Sequence, residues 1–194
     1  MDLLSSFLAS FTLIFAIIDP FASVPIFLIL TKKFNDQQRY KSADNAILVA
    51  GALAVAFIIF GLSILSIFGI SLSSFKIFGG VVLGLLAIET VLGISFGSKH
   101  ETTDINVASV IIGTPLLTGP GVITSVIVLS TQYGISIVLA ATLLALAISW
   151  IIIRNSGILV KVLGQNTIEV AAKVMGLLLG ALGVQFIRAG LLGA

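Results

Sequence analysis

DPFASVP, residues 19–25, and TPLLTGP, residues 114–120, hold all four prolines of the chain, and each lies in the middle of a long apolar run. Proline has no amide hydrogen and its ring clashes with the preceding helical turn, so each pair interrupts a helix and releases backbone groups at membrane depth. Two broken membrane helices are implied. Freed amides and carbonyls away from water need a partner, and a polar ligand is one.

The composition requires a membrane. Of 194 residues 58% are hydrophobic and 9% charged, with a mean hydropathy of +1.24, so too few polar side chains exist to cover a soluble domain. Residues 45–75 and 105–153 contain no Asp, Glu, Lys or Arg, and about 20 apolar residues cross the hydrocarbon. Hydropathy and charge breaks predict six spans, near 3–31, 42–68, 71–96, 107–131, 134–153 and 167–192. The first loop carries Lys32, Lys33, Arg39 and Lys41, the third Lys99, and the fifth Arg154 and Lys161; the second and fourth carry no basic residue. By the positive-inside rule loops one, three and five face the cytoplasm and both termini lie outside, in a multi-pass protein of the cell membrane. Asp2 precedes the first apolar run and no basic residue occurs before Lys32, so the amino terminus reads as a retained helix rather than a cleaved signal.

Several function classes are disfavoured. The pI near 9.1 comes from basic residues in short loops rather than on one face, which argues against nucleic acid. There is no cysteine, hence no disulfide or thiolate chemistry. No phosphate-binding Gly-x-x-x-x-Gly-Lys-Ser/Thr loop occurs, and the single histidine, His100, stands in a polar loop away from any ligand-spaced partners. An enzyme, a metal centre and a resident cofactor are not expected.

The chain also repeats itself. A shift of 95 residues sets Asp19-Pro20 on Thr114-Pro115, Ser23 on Thr118 and Pro25 on Pro120. A shift of 96 sets Gly80 and Gly84 on Gly176 and Gly180, and Glu89 on Gln185. Residues 1–98 then form one three-helix repeat, 99–106 a polar cytoplasmic linker and 107–194 a second repeat, within one membrane domain. Three crossings per copy force the second copy to insert upside down, the inverted arrangement common in transporters. The expected fold is all-α, with six transmembrane helices of which the first and fourth are broken. The paired glycines have a simpler reading as close helix contacts.

Candidate site residues cluster at the breaks. Asp19 lies halfway along span one, where a carboxylate costs on the order of 3 kcal/mol. It could carry a proton, ligate sodium, face a substrate amino group, or simply cap the half-helix that starts at Pro20. Ser23 and Thr118 put hydroxyls between the paired prolines, either for a small polar substrate or for their own backbone. Gly119 and Gly121 flank Pro120 and permit close approach to the chain, and a half-helix amino terminus there suits a carboxylate. Glu89 and Gln185 suggest paired gates or supports, or interhelical hydrogen bonds. Lys76, Glu169, Lys173 and Arg188 lie close enough to span ends to act as snorkelling anchors.

Ile18-Asp19-Pro20, Val24-Pro25-Ile26-Phe27 with a Leu30-Thr31 ending, and Thr114 through Gly121 together resemble the MarC family of bacterial and archaeal membrane proteins, over essentially the whole chain. The resemblance places signature positions at Asp19, Pro20, Pro25, Thr31, Pro115, Thr118, Gly119, Pro120 and Gly121; Thr114 departs from the less polar residues usual at its place. It implies a substrate class, because the family includes an archaeal transporter of small neutral amino acids such as glycine and alanine. It also leaves direction open, since the family is grouped with six-span amino-acid exporters, and the antibiotic-resistance association behind its name does not establish drug export. The reading is a secondary transporter of small neutral amino acids coupled to a proton or sodium gradient, embedded in lipid and compatible with a homo-oligomer. Its alternatives are a non-transporting membrane scaffold or assembly protein and an exporter of other small polar metabolites.

Overall fold

A computed structural model describes residues 2–93 and 117–193. Among them all regular structure is helical. The helices are α1 (Leu3–Ile18), α2 (Pro20–Leu30), α3 (Asp36–Ile67), α4 (Leu72–Leu92), α5 (Pro120–Tyr133), α6 (Ile135–Arg154), α7 (Ser156–Leu163) and α8 (Gln165–Leu191). The linker at 99–106, Thr114 and Pro115 lie outside the described residues.

Local chemistry sets the boundaries. Asn35 and Gln38 form a reciprocal capping box at the start of α3, and Ser71 caps α4, each worth about 1 kcal/mol. Glycines at positive φ punctuate the other end of α4 (Gly93, 68°) and the joints before α6 (Gly134, 88°) and α8 (Gly164, 79°), where a Cβ would be strained.

Five helical stretches are long and apolar enough to cross a membrane: α1 with α2, α3, α4, α6 and α8. The described part of the fourth span is shorter, because α5 has 14 residues, about 21 Å of rise against a hydrocarbon thickness near 30 Å. The broken helix is the centre of the assembly. In its most apolar window 56% of residues are buried by protein, against 22% in α3, whose remaining surface is left for lipid.

Small residues decide how the helices meet. The most extensive contact is between antiparallel α4 and α8. A Cβ on Gly183 would lie 2.7 Å from the Gly80 carbonyl oxygen, one on Gly190 2.7 Å from that of Ser73, and one on Gly176 3.0 Å from Thr90 Cβ. Backbone therefore touches backbone, and the packing role expected of Gly80, Gly176 and Gly180 holds. Gly84 differs: its own Cβ position is open, and it contributes through its amide nitrogen, 3.0 Å from where Gly183 would place a Cβ. Around this pair α6 packs on α1 and α3, and α5 on α1, α3 and α4.

Two further features were absent from the reading of the sequence. Asp44 on α3 accepts hydrogen bonds from Trp150 Nε1 (2.7 Å) and from Arg154 Nη1 on α6, and the Arg154 guanidinium also covers the rings of Tyr40 and Trp150. This tie joins the start of α3 to the end of α6. The fifth loop contains α7, which turns Ile158, Val162 and Leu163 outward while burying Ser156, as a helix lying in the membrane interface does. Lys76 is corrected: it is not a snorkelling anchor, for its side chain is 6% exposed and enclosed one turn inside α4.

Candidate functional site

Asp19 is the only non-glycine residue at positive φ (40°) among the described residues. It belongs to both halves of the broken span. Its amide donates to the Phe15 carbonyl at 3.1 Å, closing α1, and its Oδ1 accepts from the Ala22 amide at 3.1 Å, opening α2. Pro20 follows at the first helical position, where a missing amide hydrogen does no harm. Aspartate tolerates the left-handed conformation because its short side chain bonds locally. The capping role foreseen for Asp19 is therefore met, and it uses one oxygen. Oδ2 is buried with no hydrogen-bond partner among the described residues, on a residue only 4% exposed.

The break leaves other groups open. Pro20 and Pro25 cannot donate to the carbonyls of Ala16 and Phe21, which an uninterrupted helix would pair. Ser23 Oγ donates to the Asp19 carbonyl at 3.0 Å and Thr31 Oγ1 to that of Phe27 at 2.7 Å. Both hydroxyls serve their own helix, although Ser23 also lines the cavity described below.

The second motif is built differently. Helix α5 starts at Pro120, preceded by Gly119 in extended conformation (φ −66°, ψ 175°), and no side chain caps it. Its first intrahelical bond runs from the Ile123 amide to the Gly119 carbonyl at 3.2 Å, so the amides of Gly121 and Val122 have no intrahelical acceptor. Gly121 is closely packed. A Cβ there would lie 2.5 Å from Leu83 Cδ2 and 3.2 Å from Ile17 Cγ2, which also fixes the start of α5 against α4 and the end of α1. Thr118 is 2% exposed, and its Oγ1 has no partner among the described residues.

These features share a cavity of about 400 Å³. Asp19, Ser23 and Pro25 line it from the first motif, and Gly119, Gly121 and Val122 from the second. Thr118, Thr31 and Gln185 are not among the lining residues, and Gln185 is exposed on α8. Glu89 lines the cavity, so Glu89 and Gln185 occupy unlike environments. Thr90, Gln165, Glu169 and Lys173 also line it, although Glu169 and Lys173 read from the sequence as surface anchors. Their spacing of four residues on α8 was the signal that could have found them. The cavity is thus lined by Asp19, which carries an unpaired buried carboxyl oxygen, and by the uncapped amino terminus of α5, which carries about half a positive charge. A ligand bearing one positive and one negative group would find a complementary charge at each.

The sequence profile described as MarC family integral membrane protein matches residues 4–194. A UPF0056 membrane protein of Archaeoglobus fulgidus is 36% identical, covering 97% of this chain and 93% of that protein. Another, from Methanocaldococcus jannaschii, is 35% identical over 100% and 99%. One from Escherichia coli K12 is 34% identical over 93% and 89%. No solved structure matches.

Proposed function

This chain belongs to the MarC family of integral membrane proteins, and from that membership we propose that it is a secondary transporter of small neutral amino acids of the glycine and alanine kind. The observation that carries the proposal is one cavity lined both by Asp19, whose Oδ2 is buried without a described partner, and by Gly119, Gly121 and Val122 at the amino terminus of α5. The amino-acid ammonium group pairs with Asp19, and the carboxylate accepts from the Gly121 and Val122 amides, with the Thr118 hydroxyl beside it. A cavity of about 400 Å³ holds such a cargo with water to spare.

The two halves act as inverted repeats, with residues 99–106 as the cytoplasmic joint and six spans in all. Loops one, three and five face the cytoplasm of a cell membrane, and both termini lie outside. In that orientation α2, the end of α4 and the start of α8 form the inner half of the protein, and the cavity is open inward. Rocking of one repeat against the other exposes the site outward, and protons or sodium at Asp19 couple the cycle to a gradient. No catalysis and no resident cofactor enter this scheme, and a homo-oligomer is compatible with it.

The test is uptake of labelled glycine and alanine by proteoliposomes under an imposed proton or sodium gradient. Gradient-driven accumulation supports the reading. Well-folded protein that carries neither amino acid in either orientation transfers the weight to export of another small polar metabolite or to a scaffold role.

A further inference from the structure

Among the described residues four charged side chains line the cavity: Asp19, Glu89, Glu169 and Lys173, the last two also exposed. Their order in depth follows from the packing of α4 on α8. Thr90 lies against Gly176 and Ala87 against Gly180, so the two helices run antiparallel in a defined register. Continued three residues, that register brings Gly93, the end of α4, level with Lys173. Glu169 then lies one turn, about 5.4 Å, beyond Lys173 toward the mouth, and Glu89 about one turn deeper than Lys173. Gln165, four residues before Glu169, marks the mouth itself and contacts Glu169 Oε1 through its amide nitrogen at 3.4 Å. From mouth to break the charges read negative, positive, negative, negative.

We propose that Glu169, Lys173 and Glu89 form a charge filter along the inner path to Asp19, which passes cargo bearing one positive and one negative group and rejects net anions. This specifies the access route and selectivity of the transporter reading and rests on it for the identity of the cargo. A zwitterion moving inward always has an opposite charge within reach of each of its ends: its ammonium passes from Glu169 to Glu89 to Asp19, while its carboxylate passes from Lys173 to the amino terminus of α5. A second carboxylate on the cargo would find no second cation among the described lining residues and would meet Asp19, Glu89 and Glu169. Ile17, Ile18, Ile26, Leu86 and Leu179 also line the cavity, and such low-dielectric walls strengthen the field of the charges between them, although Glu169 and Lys173 are themselves exposed.

The absence of cysteine from the chain makes the filter measurable without any cargo. Ala22, which lines the cavity beside the break, is replaced by Cys, and its modification by a cationic and an anionic thiosulfonate reagent is timed in inside-out membrane vesicles. Rates are referred to those of a free thiol. The cationic reagent should react about tenfold faster than the anionic one. Lys173→Gln and Lys173→Glu should widen that ratio stepwise, and Glu169→Lys should narrow or invert it. A ratio that moves less than about twofold in all three variants, each monodisperse on size exclusion, overturns the filter, as does failure of Ala22→Cys to react from the inner side. In proteoliposomes alanine should compete with labelled glycine and aspartate should not, except in Glu169→Lys. Charge-dependent labelling by a protein that carries neither glycine nor alanine would uphold the filter and reject the proposed cargo.

Discussion

The two proline motifs share their spacing and break their helices in different ways. In the first, the helix resumes at the leading proline and runs through Pro25, because Asp19 caps it and Val24 and Phe27 bury their side chains completely. In the second, among the described residues, a helix begins at the trailing proline, behind a glycine that any helix interior disfavours by about 1 kcal/mol relative to alanine. Val24 and Ile26 in one copy stand where Gly119 and Gly121 stand in the other. One copy thus spends its polar side chain on a cap and keeps a single oxygen in reserve, and the other has no side-chain cap among the described residues. Near-symmetric sequences have produced a negative pole and a positive pole on one cavity.

The largest effect expected from separating these poles is at Asp19. Asn caps helices as well as Asp and tolerates the left-handed conformation, so Asp19→Asn should keep the fold within about 1 kcal/mol. It removes the charge, however, and gradient-driven accumulation should fall by more than about tenfold, the change expected from losing one charge-assisted contact of about 1.5–3 kcal/mol. Retained accumulation would mean that the residue only caps. Next is Gly121→Ala, which inserts a methyl between Leu83 and Ile17 and should destabilise the protein by about 1–3 kcal/mol in thermal unfolding, while Ile26→Ala at the matching place in the first copy leaves space instead of a clash.

A smaller contrast separates the hydroxyls. Thr118→Val removes a buried group without a described partner, so stability should hold while the half-saturation concentration for glycine rises about two- to tenfold. Ser23→Ala removes a hydroxyl that serves its own helix and should change that concentration by less than about twofold. Equal responses would erase the distinction between the copies. The smallest expected effect is Pro25→Ala, which returns a donor to the Phe21 carbonyl and should lower turnover a few-fold by stiffening α2. Wild-type turnover would show that only the break at Pro20 matters.

Much of this was readable beforehand because proline and intramembrane charge leave few choices. The interruption at Asp19-Pro20 and the unmasked amino terminus near Gly119 and Gly121 both follow from backbone chemistry that needs no tertiary information. Lys76 was misjudged, and the place of Glu169 and Lys173 beside the cavity was missed, for one reason. Distance from a span end is legible along a line of residues, but the face a side chain takes depends on which helix lies opposite. Lys76 is enclosed by its neighbours, whereas Glu169 and Lys173 are exposed, as read, and also line the cavity. Hydropathy also ran through α7 as a simple loop, because eight residues are too few to show amphipathic periodicity against two apolar neighbours.

Helix α7 settles where water stops. Its outward Ile158, Val162 and Leu163 seek the boundary between headgroups and acyl chains, and a helix lying there cannot shift far along the membrane normal without stranding them. Only Gly164 separates its last residue from Gln165. The mouth of the cavity is thereby moored at the waterline, and a thicker or thinner bilayer should tilt the long helices before it drowns or dries that opening.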